Sequence, residues 1–468
     1  MNQRRCHRLS WRATSLAAAL LLTTTLLAAQ ESPRLSIPYL QFTLPNGLNV
    51  ILHEDHKVPL ISVNVWFHVG SAREKPGRTG FAHLFEHIMF EGSGHVGPGD
   101  FDNLLEAAGG DNNGSTANDR TNYFEDVPSN ALELALFLES DRMGYLLDVM
   151  SPERVDQQRD VVKNERRQSY ENRPYGIARL RLPEELFPPD HPYHWPVIGS
   201  MEDLTAASHE DVVQFFKSYY GPNNASLAIA GDIDPAKARW AVELWFSDVP
   251  RGKPVTPLAP QAAVLESEKR VTLEDRVQLP RLYMVWLSPP FFHPGDAELD
   301  VVADLLALGK NSRLYKRLVY DLQVAQDVSA AQESDELAST FQITVTARSG
   351  HPLSEIEKLV QEEIARLKSE PPSAHEMERA LNQIQASFYR SLERVEGKAN
   401  RLNSYYFQAG RPDYTNEDLA RYRALDASDI PSVARRYLPD DARVVLSVVP
   451  IGHKELAAAA APAKAARP

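Results

Sequence analysis

Cysteine is almost absent from this chain: its 468 residues include one, Cys6. That residue precedes an apolar run, where a lipoprotein acceptor cysteine does not sit, so past the N-terminus neither disulfides nor thiolate metal ligands are available. Basic charge is also scarce. Fifty Lys and Arg stand against 63 Asp and Glu, a formal net charge of −13, which argues against nucleic acid or anionic lipid as a main partner, because both require clustered positive charge. Long hydrophobic runs are lacking apart from Ala13–Ala29, which Thr23, Thr24 and Thr25 interrupt and polar Gln30 and Glu31 follow. With Arg4, Arg5, Arg8 and Arg12 ahead of it and no acid, this run has the form of a cleaved export signal rather than a retained span. Residues 1–29 are therefore expected to be a signal peptide, with the mature chain periplasmic or secreted and holding no stable membrane span. Its loss removes four arginines, taking the charge to about −17, and leaves no cysteine.

The rest has ordinary globular composition, 43% hydrophobic and 24% charged, in a chain long enough for two domains. LNVILHED and LISVNVWFHVG, rich in β-branched and aromatic residues, predict paired strands. Helical patterns follow at Thr79 to about Glu91, Asp100 to Ala108 and Ser129 to Met150. Another opens at Ser151-Pro152-Glu153, an N-cap with proline at the first helical position, and runs to about Glu171. A weak repeat links Tyr220-Gly-Pro-Asn-Asn-Ala225 with Tyr437-Leu-Pro-Asp-Asp-Ala442, 217 residues apart, each leading into a strand. Two similar α+β domains are expected, at residues 36–250 and 261–454, joined by the proline-rich segment around Gly252 to Pro260. The alanine-rich tail 455–468 reads as disordered.

His83-Leu-Phe-Glu86-His87 places three polar residues at i, i+3 and i+4, on one face of a helix. Two imidazoles can thus converge on one metal ion. In catalytic zinc sites three protein ligands leave a fourth position for water, and Glu86 stands where a general base for that water belongs. Flanking Phe81, Ala82, Ile88, Met89 and Phe90 predict that the helix is largely buried, so these polar groups need partners. Without cysteine, the third ligand must be His, Asp or Glu from another element. Glu165 on the helix opened by Pro152 is the favoured candidate, with Val161 and Val162 marking an inward stripe and Gln158 two turns earlier on the same face, placed to orient a ligand by hydrogen bonding. The competing reading is an exposed glutamate paired with Arg166 or Arg159.

These residues resemble the pitrilysin or insulinase family of metallopeptidases, which carry H-x-x-E-H and a distal glutamate; here the interval from His87 to Glu165 is 78 residues. The likeness extends through GRTGFAHLFEHIMFEGS, GGDNNGSTANDRTNYFE, QRDVVKNERRQSYENRP, NASLAIAGDIDP and GKNSRLYKRL, nearly the whole mature chain. It implies an α+β fold of two homologous domains, each an antiparallel β-sheet flanked by helices, facing each other across a chamber. It also implies a zinc endopeptidase acting on peptides or unfolded segments, with one Zn2+ per chain. Asn113, Gly114, Ser115 and Thr116 match the family's active-site edge strand, which binds extended substrate by strand addition; a structural turn is the alternative. There are two departures from the family pattern. Gln158 stands where a glutamate is usual, and Val319 and Gln326 stand where full-sized active members supply an arginine and, seven residues on, a tyrosine that polarise the substrate carbonyl. Neither replacement carries the required charge or hydroxyl, and nearby Arg317 and Tyr320 have the wrong spacing. The expectation is a zinc-bearing subunit of a hetero-oligomer whose family-like partner supplies the pair, with a homodimer as alternative. The family also implies a different function class, a non-catalytic assembly subunit.

Overall fold

A computed structural model of the chain describes residues 34–259, 261 and 263–458. The expected signal, residues 1–29, and the tail beyond Ala458 lie outside them. The first half runs β1 (Leu40–Thr43), β2 (Asn49–Glu54), β3 (Leu60–Phe67), α1 (Phe81–Ile88), α2 (Asp100–Ala108), β4 (Asp111–Thr116) and β5 (Thr121–Pro128). It continues with α3 (Leu132–Tyr145), α4 (Pro152–Arg166), α5 (Gly176–Leu186), α6 (Met201–Ala206), α7 (His209–Tyr219), β6 (Ala225–Gly231) and α8 (Pro235–Phe246). The second half has β7 (Lys269–Asp275), β8 (Arg281–Ser288), α9 (Asp296–Ala307), β9 (Ala325–Glu333) and β10 (Ser339–Ala347). After these come α10 (Leu353–Ser369), α11 (Ala374–Ser391), α12 (Val395–Ala409), α13 (Thr415–Arg423), α14 (Asp429–Tyr437) and β11 (Val444–Pro450). No helix among the described residues is long and apolar enough to cross a membrane.

The repeat seen in sequence is a repeat of topology. The first sheet is ordered β1-β2-β6-β3-β5-β4 and the second β7-β11-β8-β10-β9. In each, the late strand that follows the repeated turn inserts between two earlier ones. β6 lies parallel to β2 and antiparallel to β3, and β11 parallel to β7 and antiparallel to β8. The sheets are thus mixed at this one pairing and antiparallel elsewhere.

Side chains alternate across β2, β3 and β6, so each strand has two faces to cover. Val50, Leu52, Val63, Val65, Leu227 and Ile229 enter the main core of the first half. Ile51, Ala228 and Ala230 face the other way and meet Ala399 and Leu402 of α12. Small alanines let this helix come close. Polar groups in the contact are matched, with Asn403 Nδ2 donating to the Asn64 carbonyl at 2.8 Å and Trp66 Nε1 to Asn400 Oδ1 at 3.2 Å. The reciprocal exchange is made by α5, whose Ala178, Leu182 and Leu186 pack with Tyr283, Val285, Leu446 and Val448 of the second sheet. Each half therefore lends a helix to the other's sheet, which a division into segments 36–250 and 261–454 does not convey. Residues 455–458 of the segment expected to be disordered are packed against the second sheet. Lys454–Leu456 forms one 3-10 turn, and the Ala458 N–H donates to Ser447 Oγ at 3.1 Å in a buried contact.

Candidate metal centre

The motif helix α1 is anchored at its N-terminus and along one face. Gly80 at its N-cap has φ 86, and a Cβ there would sit 2.9 Å from the Ile198 carbonyl oxygen, so glycine suits both the left-handed turn and the close approach. The buried Glu74 carboxylate accepts from the Gly80 and Ala82 N–H groups at 2.9 and 2.8 Å, meeting donors that a helix start leaves open. Phe81, Ala82, Leu84, Phe85 and Ile88 are buried, and the Phe85 ring stacks on Tyr220 with centroids 5.0 Å apart. With that face held by the core, His83, Glu86 and His87 share the other.

Helix α4 brings the third group. Ser151 caps it, its Oγ accepting from Arg154 N–H at 3.3 Å, and Val155, Gln158 and Val162 form its buried stripe. Glu165 Oε2 lies 3.6 Å from His83 Nε2 and 3.2 Å from His87 Nε2. These three donor atoms fall within 4.8 Å of one another, the one such grouping of His, Cys, Asp or Glu among the described residues. Two ligands at 2.0–2.1 Å from a tetrahedral ion stand roughly 3.3 Å apart, so the spacing fits a single zinc. The ionisation state fits as well. Burial, then the neighbouring His87, pushes the His83 imidazole down to about 4, which keeps it neutral and able to ligate. A hydrogen bond from His87 holds the Glu165 carboxyl below its usual range.

Glu86 faces the edge of the first sheet. Its Oε2 accepts from Thr116 Oγ1 at 2.6 Å. Burial raises its pKa, and the Thr116 bond opposes the rise. Strand β4 is the outer strand of its sheet, pairing only with β5. Asn113, Gly114, Ser115 and Thr116 all lie on it, so this segment is a strand and not a turn. At Gly114 an added Cβ would stand 3.2 Å from Glu86 Cγ and from Phe90 Cε2. Arg120, in the β4–β5 hairpin, donates to the Ser115 carbonyl at 2.8 Å and to Asn122 Oδ1 at 2.8 Å, tying the hairpin together. A cavity of about 740 Å³ contains His83, Glu86, Gly114, Ser115 and Thr116 on one side and residues of β8 and β10 on the other.

Comparison with known proteins places the chain in a family. Residues 49–188 match the family model described as insulinase (peptidase family M16), and residues 206–384 match the one described as the peptidase M16 inactive domain. The chain belongs to the insulinase family of peptidases. Among M16 relatives, the zinc protease PqqE of Helicobacter pylori is 29% identical over 91% of this chain and 96% of its own length. A probable mitochondrial-processing peptidase subunit beta of Arabidopsis thaliana is 23% identical over 87% of this chain and 78% of its own. The crystal structure of a protease from Helicobacter pylori superposes with a TM-score of 0.84 at 26% identity, covering 89% of this chain and all of that one. The two-domain α+β architecture is the M16 fold.

Several expected positions come out differently. Val161 is 44% exposed and does not share the inward stripe with Val162, because the buried stripe of α4 is centred on Val155, Gln158 and Val162, with Glu165 at its margin. Gln158 is not hydrogen-bonded to His83, His87 or Glu165; it borders a small gap with Ile88, Glu91, Gly92 and Arg154, below the C-terminal end of α1. Val319 sits in a π-helical turn, Tyr315–Asp321, and Gln326 is exposed on β9. Arg317 cannot stand in for the missing arginine, since it is ion-paired with Glu362 and, at 2.7 Å, with Glu363. Tyr320 is 73% exposed. None of these four lines the cavity that holds Glu86. Sequence reasoning passed over Glu74, Arg120 and the basic residues of the opposite cavity wall, which have no motif and become neighbours only through folding.

Proposed function

We propose that this chain is a zinc endopeptidase acting on peptides or unfolded polypeptide segments, with His83, His87 and Glu165 as ligands of one Zn2+ and Glu86 as general base. The observation that carries the reading is the convergence of these three donor atoms beside a carboxylate hydrogen-bonded to an open sheet edge. Zinc, when held by such a set, polarises a water at its open position and lowers that water's pKa. Glu86 takes the water's proton as its oxygen attacks the peptide carbonyl, and gives it to the amine as the C–N bond breaks. Strand β4 aligns the substrate as an added strand, with Asn113 to Thr116 beside the bond to be cut.

The second part of the proposal is that the catalytic unit is larger than the chain. Val319 offers no donor and Gln326 no charge for a developing oxyanion, and a relative named as a subunit supports a shared site. A family-like partner then supplies the arginine and tyrosine. Export follows from the basic and apolar segment Arg4 to Ala29.

The test is metal analysis of the purified mature chain together with cleavage of a quenched peptide, with and without chelator. Zinc in the lone chain with poor turnover, raised by adding a family-like partner that carries the arginine and tyrosine, is the expected result. Full activity of the lone chain would remove the need for a partner. Absence of zinc from protein prepared in its presence would leave a non-catalytic assembly subunit as the function.

A further inference from the structure

The wall of the cavity facing the motif helix carries a group of side chains that hydrolysis leaves without a role. Arg281 and Tyr283 are two residues apart on β8 and so share one face of the strand; Arg179 comes from α5 and Tyr175 from the turn before it, and all four line the cavity. The Arg281 guanidinium lies over the Tyr175 ring, 3.7 Å from its centroid. Its Nε donates to Thr346 Oγ1 at 2.9 Å, and that hydroxyl donates to Asp327 Oδ1 at 3.1 Å. Tyr175 is held in turn: its N–H donates to Asp275 Oδ2 at 2.8 Å and its hydroxyl to the Leu279 carbonyl at 2.9 Å. It adopts φ 64, an uncommon conformation for a bulky residue. Arg281 is therefore fixed on one face and at Nε, its guanidinium also engages the Tyr283 hydroxyl, and its terminal nitrogens face the cavity without a carboxylate partner.

Among the described residues no carboxylate lies within 4.0 Å of the guanidinium nitrogens of Arg281 or Arg179. Two acids share this wall. Asp335 is engaged by Asn118 Nδ2 at 2.7 Å, and burial pushes its carboxyl up to about 7. Burial likewise raises Glu333, against the pull of Arg179. Neither acid is ion-paired with Arg281 or Arg179, so both guanidiniums line the cavity without a carboxylate partner, in a chain whose total charge is −13.

We propose that Arg281 and Arg179 form a carboxylate-receiving subsite, which selects substrates with an acidic side chain, or a terminal carboxylate, near the bond that is cut. A held guanidinium favours a planar anion through paired, charge-assisted hydrogen bonds, and a cavity with low-dielectric walls strengthens that preference. The subsite rests on the peptidase reading for its purpose but not for its detection. Binding is measured on zinc-loaded Glu86→Gln protein by fluorescence anisotropy, using labelled alanine-rich peptides with one glutamate, or with glutamine or lysine in its place, each as free acid and as amide. The glutamate peptide should bind about tenfold more tightly than the glutamine peptide, and the lysine peptide more weakly than either. If the free acids bind more tightly than the amides whatever the side chain, the terminal carboxylate is the group read; if glutamate binds more tightly than glutamine in both terminal forms, it is the side chain. Arg281→Gln/Arg179→Gln should abolish the discrimination without changing affinity for the amidated glutamine peptide, and Arg281→Lys should restore part of it. Should the double variant fold poorly, Arg179→Gln, at an exposed position, is expected to lower the ratio by itself. Equal binding of the glutamate and glutamine peptides, with free acids and amides also bound equally, would overturn the proposal, as would variants that weaken every peptide alike. Discrimination by a wild-type protein that cuts nothing would instead count against the peptidase reading and leave the subsite standing.

Discussion

At the residue scale the behaviour of the site turns on Glu86 and its hydroxyl partner. Glu86→Gln keeps the size and the acceptor oxygen but cannot take a proton. Zinc content measured by mass spectrometry should be unchanged, while turnover falls by about 10²-fold or more. Thr116→Val removes the 2.6 Å hydrogen bond that opposes the burial of Glu86. The carboxyl should then titrate at higher pH, and because the base must be ionised, the acidic limb of the kcat/KM profile should move up in pH with zinc retained. A purely structural Thr116 would lower activity equally at all pH values. Loss of a ligand is different in kind: Glu165→Ala should release zinc, since two imidazoles alone bind it weakly.

At the scale of elements, the edge strand and the lent helices are the parts that matter. Gly114→Ala puts a Cβ 3.2 Å from Glu86 Cγ, closer than ordinary packing allows. The motif helix or β4 must shift by a few tenths of an ångström, so kcat should fall while zinc content and thermal stability change little. Helix α12 is held on the first sheet by Ala399 and Leu402, both fully buried. Leu402→Ala should cost about 2–5 kcal/mol in denaturant unfolding, the usual range for emptying a buried leucine site. The α4 helix shows what periodicity conveys and what it leaves open. The Pro152 start was legible from its cap, and so was Glu165 as a candidate. The rotation of the helix was not, because Val161 and Val162 are both apolar and only packing decides which faces inward.

Across the whole molecule the two halves meet at a carboxyl pair. Asn118 donates to Asp335, and Asp119 accepts from the Tyr193 hydroxyl at 2.6 Å and from the Glu336 N–H at 2.8 Å. Burial raises both acids, Asp335 to about 7 from 3.8. An acid whose pKa is higher in the folded state binds more protons folded than unfolded, so stability falls as pH rises between those values. Thermal denaturation should show a midpoint that declines from about pH 4 to about pH 7. Asp335→Asn, which keeps the acceptor without the charge, should flatten that decline and leave the protein more stable than the parent at alkaline pH. An unchanged slope would place the effect in other groups.

What the sequence determined by itself was local or repeated. The spacing of His83, Glu86 and His87 puts them on one helix face whatever surrounds them, and the echoed turns before Ala225 and Ala442 announce strands that take the same place in two sheets. The absence of cysteine narrowed the third ligand to His, Asp or Glu, among them Glu165. Tertiary structure decided which surfaces meet. An amphipathic pattern states that a helix has a buried face but not whose sheet covers it, so the crossing of α5 and α12 between halves could not be read in advance. The pair of cavity arginines has the same origin, since Arg179 and Arg281 lie about a hundred residues apart in the chain and share a site only because α5 packs on the second sheet.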